Sequence, residues 1–587
     1  MRKSIVKYIV MVAGAVMAAA LPSCFPGMSD NSPRGPLELS TTRITVGKDA
    51  AKAYIGITAR SADWTLTGDE DWCRVTPASG AIGTTQATVD FLDNDTGEMR
   101  EATFVIVSGN VQTEITVKQF ETEIVLPNQD PEYASNKAIH ETIINEWYYW
   151  NSETEATAAD YDQPYYAFYN SYLSYLKENG IDGNVWSGNT ERYLYSYITR
   201  TPKNEAGQTP LNYGMEFDIV DYNVNRETKI VSRLLYVTAN SPAAAAGLKR
   251  GDWFYKVNDV QMGDWNYNRL IDTLVKPVPG FSPKLGMLSF LAYASNLVPD
   301  NNRLMTVTPA RFRGSPIIHK SHFPRAMKNG GTAIVGYLVY SSFDPDYDND
   351  LIAAFKEFKD GGVTDLVLDL RYNKSGSAET AELMANLIVP PDMNGKVFAD
   401  YKFNDRHSDR NRTAVLTSHT SSIGLKTVYI LTSEHTAGAA ELLINGFKGL
   451  DGEGEMTLVV VGDLTAGMNA GMVKRTYSTD NYQYQVYPLA FRCYNAKGEG
   501  DYQYGLSPNG GTVNEWDSDV VTKWSATWGW KGVAGATEDQ LLQKALTYVV
   551  GNADIPTAKV LYANSRRKSG YPRIYSVQAS MTMNVPE

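Results

Sequence analysis

The sequence predicts a multidomain chain that contains a β-sandwich, a small helical subdomain, an α+β domain and a larger α/β domain. Its 587 residues would accommodate about three or four domains. Along the chain, short alternating runs give way to amphipathic helical runs, and then to apolar strands that alternate with helices. The formal net charge is -12 and there is no basic block, so we do not expect a nucleic-acid partner.

The first 24 residues have the layout of a secretory signal, with a basic start, an apolar stretch and small residues that lead to Cys24. They resemble a bacterial lipoprotein signal. That resemblance implies lipidation of Cys24 and an exported, membrane-anchored protein of the cell envelope, either periplasmic or surface-facing. An ordinary cleaved signal peptide is the alternative. Residues 25–36 are rich in Pro, Gly and Ser, which predicts a linker.

Residues 37–121 contain short runs that alternate apolar with polar residues between turn-rich clusters, a pattern typical of an antiparallel β-sandwich. This segment resembles the BACON domain of Bacteroidetes surface proteins. The residues that carry the resemblance are Trp64, Trp72, Pro77, Gly80, Asn94, Arg100 and Gln119. The resemblance implies glycans as a possible partner. Alternatively, both tryptophans belong to the core and the domain is a spacer.

Residues 122–204 are rich in Tyr and Trp and contain apolar positions at helical spacing, which predicts a helical subdomain. An aromatic stripe of this kind usually forms core, so we predict no cofactor. Cys73 and Cys493 are far apart in sequence and neither has the spacing of a metal motif. We therefore predict that both are unpaired packing residues and that the chain has no metal site.

Residues 205–300 contain SPAAAAGLKRGD at positions 241–252, preceded by NYGMEF and followed by a predicted strand and helix. This arrangement resembles a PDZ domain of the bacterial protease type. PDZ domains add an extended peptide to a sheet edge and hold its terminal carboxylate with backbone N–H groups. The resemblance places that loop at Tyr213, Gly214, Met215 and Glu216. The Glu216 carboxylate would weaken capture unless it points away, and a domain that only gates or packs is the alternative.

Residues 301–560 alternate apolar strands with amphipathic helices, which predicts an α/β domain with a largely parallel sheet. Because ligands collect beyond the carboxyl ends of such strands, we expect one cleft formed by residues 373–377, 433–439 and 463–471. The remaining residues, 561–587, form a tail to which we assign no function.

Five motifs follow one another in a characteristic order within residues 122–560: GYLVYSSF, LVLDLRYNKSGS, VYILTSEHTAGAAELLINGFKG, VVVGDLTAGMNAG and FRCYNAKGEGDYQYGLSPN. This order resembles peptidase family S41, the tail-specific or C-terminal processing proteases, in its Bacteroidetes form. Those enzymes use a serine nucleophile and a lysine general base. The matching positions here are Gly438 and Met468, and neither side chain can perform the chemistry. The resemblance also assigns an oxyanion loop, at Asn373, Ser375, Gly376 and Ala439.

The leading prediction is a catalytically impaired S41 homologue that binds extended peptides or protein C-termini. Two alternatives stay open at this point. One is a serine-type endopeptidase with a rearranged site, using Ser433, Thr436 or Ser375 with His435 close by. The other is a glycan-binding surface protein that works through residues 37–121.

Overall fold

A computed structural model describes residues 37–119, 131–154, 195–513 and 539–562 with short gaps, together with isolated residues and the pair Thr582–Met583. Two compact units are present: residues up to Lys137 with Asp160–Phe168, and Ala138–Ala159 with Tyr169 onwards. None of the helices in the described ranges reaches the length and hydropathy of a membrane span. Cys24, the linker and most of the predicted tail lie outside the described residues.

The first unit contains two facing sheets with one apolar core between them. Neighbouring strands are antiparallel except for one parallel pair, Arg43–Val46 with Val111–Gln119. One sheet has the order Leu37–Leu39, Lys52–Ala59, Gly83–Phe91, Cys73–Thr76, and the other has the order Arg43–Val46, Val111–Gln119, Arg100–Ser108, Trp64–Thr67, Ser79–Gly80. Alternate residues of the longer strands are buried, which is the pattern that a sandwich requires.

The polar and aromatic residues noted in the first unit contact one another. Trp64 is fully buried, and the Arg100 guanidinium lies 4.5 Å from the ring centroid of Trp72. Arg100 also donates to the side chain of Gln119, and the Asn94 amide donates to the Gln119 carbonyl at 3.2 Å. Arg100, Asn94 and Gln119 therefore help to hold the sandwich together, because their polar groups are bonded within the domain.

In the second unit, short helices precede the first sheet: Pro131–Ile139, which begins in the first unit, then His140–Ile144, Asn145–Trp147 and Asn151–Thr154. The region predicted as helical also contains the strand Tyr197–Pro202. That strand pairs with Tyr482–Tyr487, which in turn pairs with Arg475–Ser478. Tyr197 stacks on Tyr487 with ring centroids 4.4 Å apart. A partner that is distant in sequence thus determines the strand conformation here.

A six-stranded sheet follows in the second unit, and its strand Asn296–Thr306 crosses the predicted boundary at residue 300. The order is Glu227–Val237, Met215–Val224, Asn296–Thr306, Lys284–Leu291, Trp253–Val257, Val260–Gln261. Its two helices are Pro242–Ala245 and Tyr267–Val275. The first helix begins as its sequence predicts: Ser241 caps it by accepting from the Ala244 N–H at 3.1 Å, and Pro242 occupies the first turn.

The α/β part of the second unit is built on a five-stranded sheet in which all neighbours except the first pair are parallel. The strands are Ile317–Ala326, Thr332–Tyr340, Asp365–Asp369, Thr427–Thr432 and Thr457–Gly462. The longer helices associated with it are Asp348–Asp360, Ala378–Ile388, Ala439–Leu450 and Gln540–Val549, and shorter 3-10 turns are Pro345–Tyr347, Pro391–Met393 and Asp405–Arg410. The last four strands lie where the apolar runs predict them.

Another five-stranded sheet in this unit includes two residues from the predicted tail. Its order is Arg412–Val415, Val397–Phe403, Leu489–Tyr494, Ala470–Val473, Thr582–Met583. Short two-stranded ladders complete the described strands: Asn184–Val185 with Arg192–Tyr193, Leu211–Asn212 with Ala310–Arg311, and Leu506–Ser507 with Leu561–Tyr562.

A buried ionic network connects the six-stranded sheet with the parallel sheet. Asp539 caps the helix Gln540–Val549 and pairs with Arg371 at 2.7 Å and with Arg250 at 3.6 Å. Arg371 also binds Asp369, which accepts a hydrogen bond from the Tyr337 hydroxyl at 2.8 Å. Each charge in this network has a partner of opposite sign, and that pairing is what makes its burial tolerable.

Candidate functional site

The elbow turn, residues 433–438, connects the strand Thr427–Thr432 to the helix Ala439–Leu450. At its apex Gly438 has φ 60° and ψ -116°, a conformation that L side chains rarely adopt. A nucleophile elbow strains its apex residue in this way so that the side chain projects into the cleft. The elbow shape is therefore present, but its apex has no side chain.

The Met468 loop, residues 463–469, lies against the elbow turn. Glu441, on the first turn of the helix after the elbow, joins the two. Its carboxylate accepts from the N–H of Gly438 at 3.1 Å, of Gly467 at 2.6 Å and of Met468 at 2.8 Å, and also from the Thr465 hydroxyl. Both positions predicted to carry catalytic groups thus donate their backbone N–H to one carboxylate.

Glu441 is fully buried. Burial raises the pKa of its carboxyl from 4.5 to about 7, and the hydrogen bonds from Thr465, Gly467, Met468 and Gly438 oppose part of that rise. Met468 is also fully buried, so its thioether fills the position of the expected lysine without access to solvent. The two loops are in contact through Glu441, and a nucleophile and an amine base are not found at the two predicted positions.

The hydroxyl groups that flank the apex are engaged elsewhere. Ser433 donates to the Arg371 carbonyl, and Thr436 donates to the Leu370 carbonyl at 2.9 Å. Both side chains are buried. Activation of either hydroxyl by a base would first require breaking these bonds, because a hydroxyl has one proton to donate.

His435 does not contact Ser433 or Thr436 through its ring nitrogens. Instead its Nε2 lies 3.3 Å from Asp218 Oδ1, on the strand Met215–Val224. Asp218 in turn lies 3.7 Å from the Arg233 guanidinium. Because all three side chains are buried, this cluster ties the elbow turn to the six-stranded sheet.

The Asn373 loop, residues 370–377, forms the opposite wall of the cleft. The Asn373 carbonyl accepts from the Ala437 N–H at 2.9 Å, and its side-chain amide donates to the Tyr340 carbonyl at 2.9 Å. Ser375 contacts Ser342, with 3.2 Å between the hydroxyl oxygens. Within the predicted oxyanion set, Asn373 contacts the elbow turn directly. Ala439 is the first residue of the following helix and is fully buried.

Lys374, in the same loop, reaches Glu216 of the six-stranded sheet, with 2.5 Å between Nζ and Oε1. The side chains are 9% and 16% exposed, so solvent screens this pair weakly. The predicted oxyanion loop and the predicted carboxylate-binding loop are therefore in direct contact. The Glu216 charge, which would oppose a peptide carboxylate, is neutralised by this lysine.

The predicted peptide-binding loop is tightly held. The Tyr213 hydroxyl donates to the Thr273 carbonyl of the helix Tyr267–Val275 at 3.1 Å. Gly214 donates its N–H to Asn212 Oδ1 at 2.7 Å, and a Cβ on Gly214 would lie 2.1 Å from the Ser241 Cβ. Only glycine fits here, because that distance is far below a van der Waals contact.

The strand after this loop has an open edge. Met215–Val224 pairs with Glu227–Val237 along its whole length. On its other edge, the pairing found among the described residues is confined to Val224 with Leu297. An edge of this kind next to a helix is where an extended peptide can add a strand.

Sequence reasoning did not find the bridge by Glu441, the Lys374–Glu216 pair or the His435–Asp218 contact. Glu441 carried a signal, since a carboxylate in the first turn of the apolar helix AAELLING is unusual unless it is paired. The Lys374–Glu216 and His435–Asp218 contacts carried no signal in the sequence, because their partners come from distant parts of the chain. In the described part of the chain, no three His, Cys, Asp or Glu side chains converge as metal ligands.

Comparison with known families identifies the α/β region. Residues 334–509 match the peptidase family S41 model. This region, called the S41-matching region below, contains the elbow turn, the Asn373 loop and the Met468 loop. Residues 62–120 match the BACON model, which describes an N-terminal domain with an inferred binding role, and they lie in the sandwich. No curated protein matches the chain in sequence.

A solved structure shares the fold of this chain over most of its length. A Bacteroides fragilis protein provisionally assigned as an S41 protease is 25% identical with a TM-score of 0.54, over 73% of this chain and 100% of that one. The photosystem II D1 C-terminal processing protease is 16% identical with a TM-score of 0.40, over 67% of this chain and 97% of that one. At that identity and score the second likeness is too distant to support a functional conclusion.

Proposed function

We propose that the chain is a cell-envelope lipoprotein related to S41 peptidases that has lost peptide-bond hydrolysis and binds extended peptides or protein C-termini. One observation carries the proposal: Gly438 and Met468 donate to the same buried carboxylate at an intact elbow, yet neither supplies catalytic chemistry. We infer a site whose shape has been retained for binding. Lipidation at Cys24 is part of the proposal and rests on the signal sequence.

Peptide capture is assigned to residues 205–300 as a PDZ-type domain. The open edge of Met215–Val224 and the helix Tyr267–Val275 support this assignment, as does the neutralisation of Glu216 by Lys374. The Gly214 N–H is already donated to Asn212, so capture of a carboxylate would rely on other N–H groups of the loop.

The first experiment measures cleavage of an unfolded protein by the chain from residue 25 onwards. We expect no cleavage by the native protein, and measurable cleavage after Gly438→Ser with Met468→Lys, because a lysine at a buried position has the depressed pKa that a general base needs. Gly438→Ala with Met468→Lys is the matched control. It bears the same backbone strain, about 1–3 kcal/mol, but has no hydroxyl.

Cleavage by the native protein, together with labelling by a serine-directed covalent probe, would contradict the proposal. Ser433, Thr436 and Ser375 would then be the residues to replace. If neither the native nor the doubly substituted protein cleaves, the proposed loss of hydrolysis stands. The binding measurement below then tests whether peptides bind at the open edge of Met215–Val224, which we call the PDZ-type groove.

The second experiment measures binding of fluorescent peptides with a free C-terminal carboxylate and of the same peptides amidated. We expect binding that requires the carboxylate and falls by about ten-fold or more in Gly214→Ala, because the new methyl group would displace Ser241 and the loop. Gly207→Ala is the control: Gly207 also has positive φ, and a Cβ there meets no atom within 4 Å. If no C-terminal peptide binds the native protein, the binding role is wrong.

A further inference from the structure

Thr582 and Met583, in the predicted tail, lie against both walls of the cleft. The Thr582 N–H donates to the Gly376 carbonyl at 2.8 Å, and the Thr582 hydroxyl lies 3.3 Å from the same oxygen. On the other side, Thr582 and Met583 pair in parallel with Met472 and Val473. The two residues thus join the Asn373 loop to the strand that follows the Met468 loop.

Both walls are directly connected to the elbow turn. Asn373, three residues before Gly376, accepts from Ala437 at the elbow, and Met468, four residues before Met472, donates to Glu441. The segment held between Gly376 and Met472 is therefore linked through these two loops to the region of the elbow turn.

The pairing has the character of an added strand. Thr582–Met583 is the last strand in the order of its sheet, so without it the strand Ala470–Val473 would present an open edge. All four residues of Ala470–Val473 are buried, and Met583 is 6% exposed. A bare apolar edge strand is an acceptor for any extended chain.

We propose that Gly376, Met472 and Val473 form a second peptide-binding site, and that its resident ligand is the chain's own segment around Thr582. An external ligand would be an extended peptide that offers an N–H to Gly376 and a buried apolar side chain in place of Met583. It must displace the tail to bind. The inference rests on the proposed function, since it assigns the vestigial cleft a ligand, but it does not depend on the PDZ-type groove.

The test uses a chain that ends at Ser576 and a labelled peptide of residues 577–587, VQASMTMNVPE. We expect the peptide to bind this shortened chain at least about ten-fold more tightly than the full chain, where the tail competes. Hydrogen exchange of the Met472 amide is expected to rise in the shortened chain and to fall again when the peptide is added.

Matched peptides test the backbone contact. Thr582→Pro removes the N–H that Gly376 accepts, so binding is expected to weaken by about ten-fold or more, whereas Thr582→Val keeps the N–H and is expected to bind nearly as well as the original. The same two substitutions are also made in the full chain, so that the contact is tested without shortening the protein. Exchange at Met472 is expected to increase only in the proline variant.

The chemical group at the peptide C-terminus distinguishes binding at the two sites. Binding in the cleft persists when the peptide is amidated and when the shortened chain carries Gly214→Ala, whereas binding in the PDZ-type groove is lost in both cases. Equal affinity for the full and shortened chains, or unchanged exchange at Met472, would overturn the inference. Loss of binding on amidation would place the peptide in the groove instead, and would also overturn it.

Discussion

At the scale of single residues, Glu441 is the centre of the site. Its carboxylate accepts four hydrogen bonds from the elbow turn and the Met468 loop, and it is fully buried. A carboxylate without a charged partner is expensive to bury, and the hydrogen bonds offset only part of that expense. We therefore infer that Glu441 holds the two loops in register, as it would need to do in an enzyme.

The raised pKa of Glu441 predicts a pH-dependent stability. Between pH 4.5 and 7 the folded state binds more protons at this carboxyl than the unfolded state does, so the free energy of unfolding falls as pH rises. The shift from 4.5 to about 7 corresponds to about 3 kcal/mol. This contribution is fully present at acidic pH and is lost as pH rises through 7.

Glu441→Gln isolates the effect, because glutamine does not titrate. We expect the unfolding free energy of the native protein minus that of the variant to decline by about 3 kcal/mol from pH 4.5 to 8. Calorimetry of the unfolding transition of the S41-matching region measures this difference. A difference that does not change with pH would show that Glu441 is ionised in both states. Independently of pH, the variant places an amide N–H among donors, which costs about 1–3 kcal/mol.

Residue identities at the two decisive positions could be read from the sequence. Gly438 and Met468 follow from their place in motifs that are each local and only a few residues long. The direction of the neighbouring side chains could not be read, because Ser433 and Thr436 bond to carbonyls of the Asn373 loop and His435 lies against a strand of another sheet.

At the scale of elements, the Lys374–Glu216 pair connects the Asn373 loop to the strand Met215–Val224 of the six-stranded sheet. Its partners are separated by 158 residues, so no local pattern announces the contact. Apolar runs did predict the parallel strands and the elbow, and a motif that resembles a PDZ domain predicted the helix that Ser241 begins, because each depends on neighbours in sequence. Pairing between elements depends on the assembled fold, and it could not be derived in the same way.

A double-mutant cycle tests this contact. Glu216→Gln or Lys374→Gln alone leaves a mostly buried charge without its partner, so each is expected to destabilise the domain by about 3 kcal/mol, with a coupling energy of about 1–3 kcal/mol between them. The exposed pair Lys356–Asp360 is the control, for which a coupling of about 0.3–0.5 kcal/mol is expected. Equal coupling in the two pairs would mean that the Lys374–Glu216 contact is solvated.

At the scale of the whole molecule, the sequence predicts the series of regions more reliably than their edges. The strand Asn296–Thr306 runs past the predicted boundary at residue 300, and Tyr197–Pro202 joins a sheet from within the region predicted as helical. The first strand pairs mainly with the neighbouring strand Lys284–Leu291, whereas the second is completed by a partner far away in the chain. Thr582 is a further example of a distant partner, since 206 residues separate it from Gly376.

The ionic network around Asp539 limits how the gene for this protein can be divided. Asp539 lies beyond residue 509, where the match to the S41 model ends, yet it is the counter-ion of Arg371 within that match and of Arg250 in the preceding sheet. An expression fragment cut at the limits of the family match would leave Arg250 outside and would leave Arg371 without Asp539. An expression fragment should therefore be longer than the segment that matches the family model, and it should extend at least through the helix Gln540–Val549.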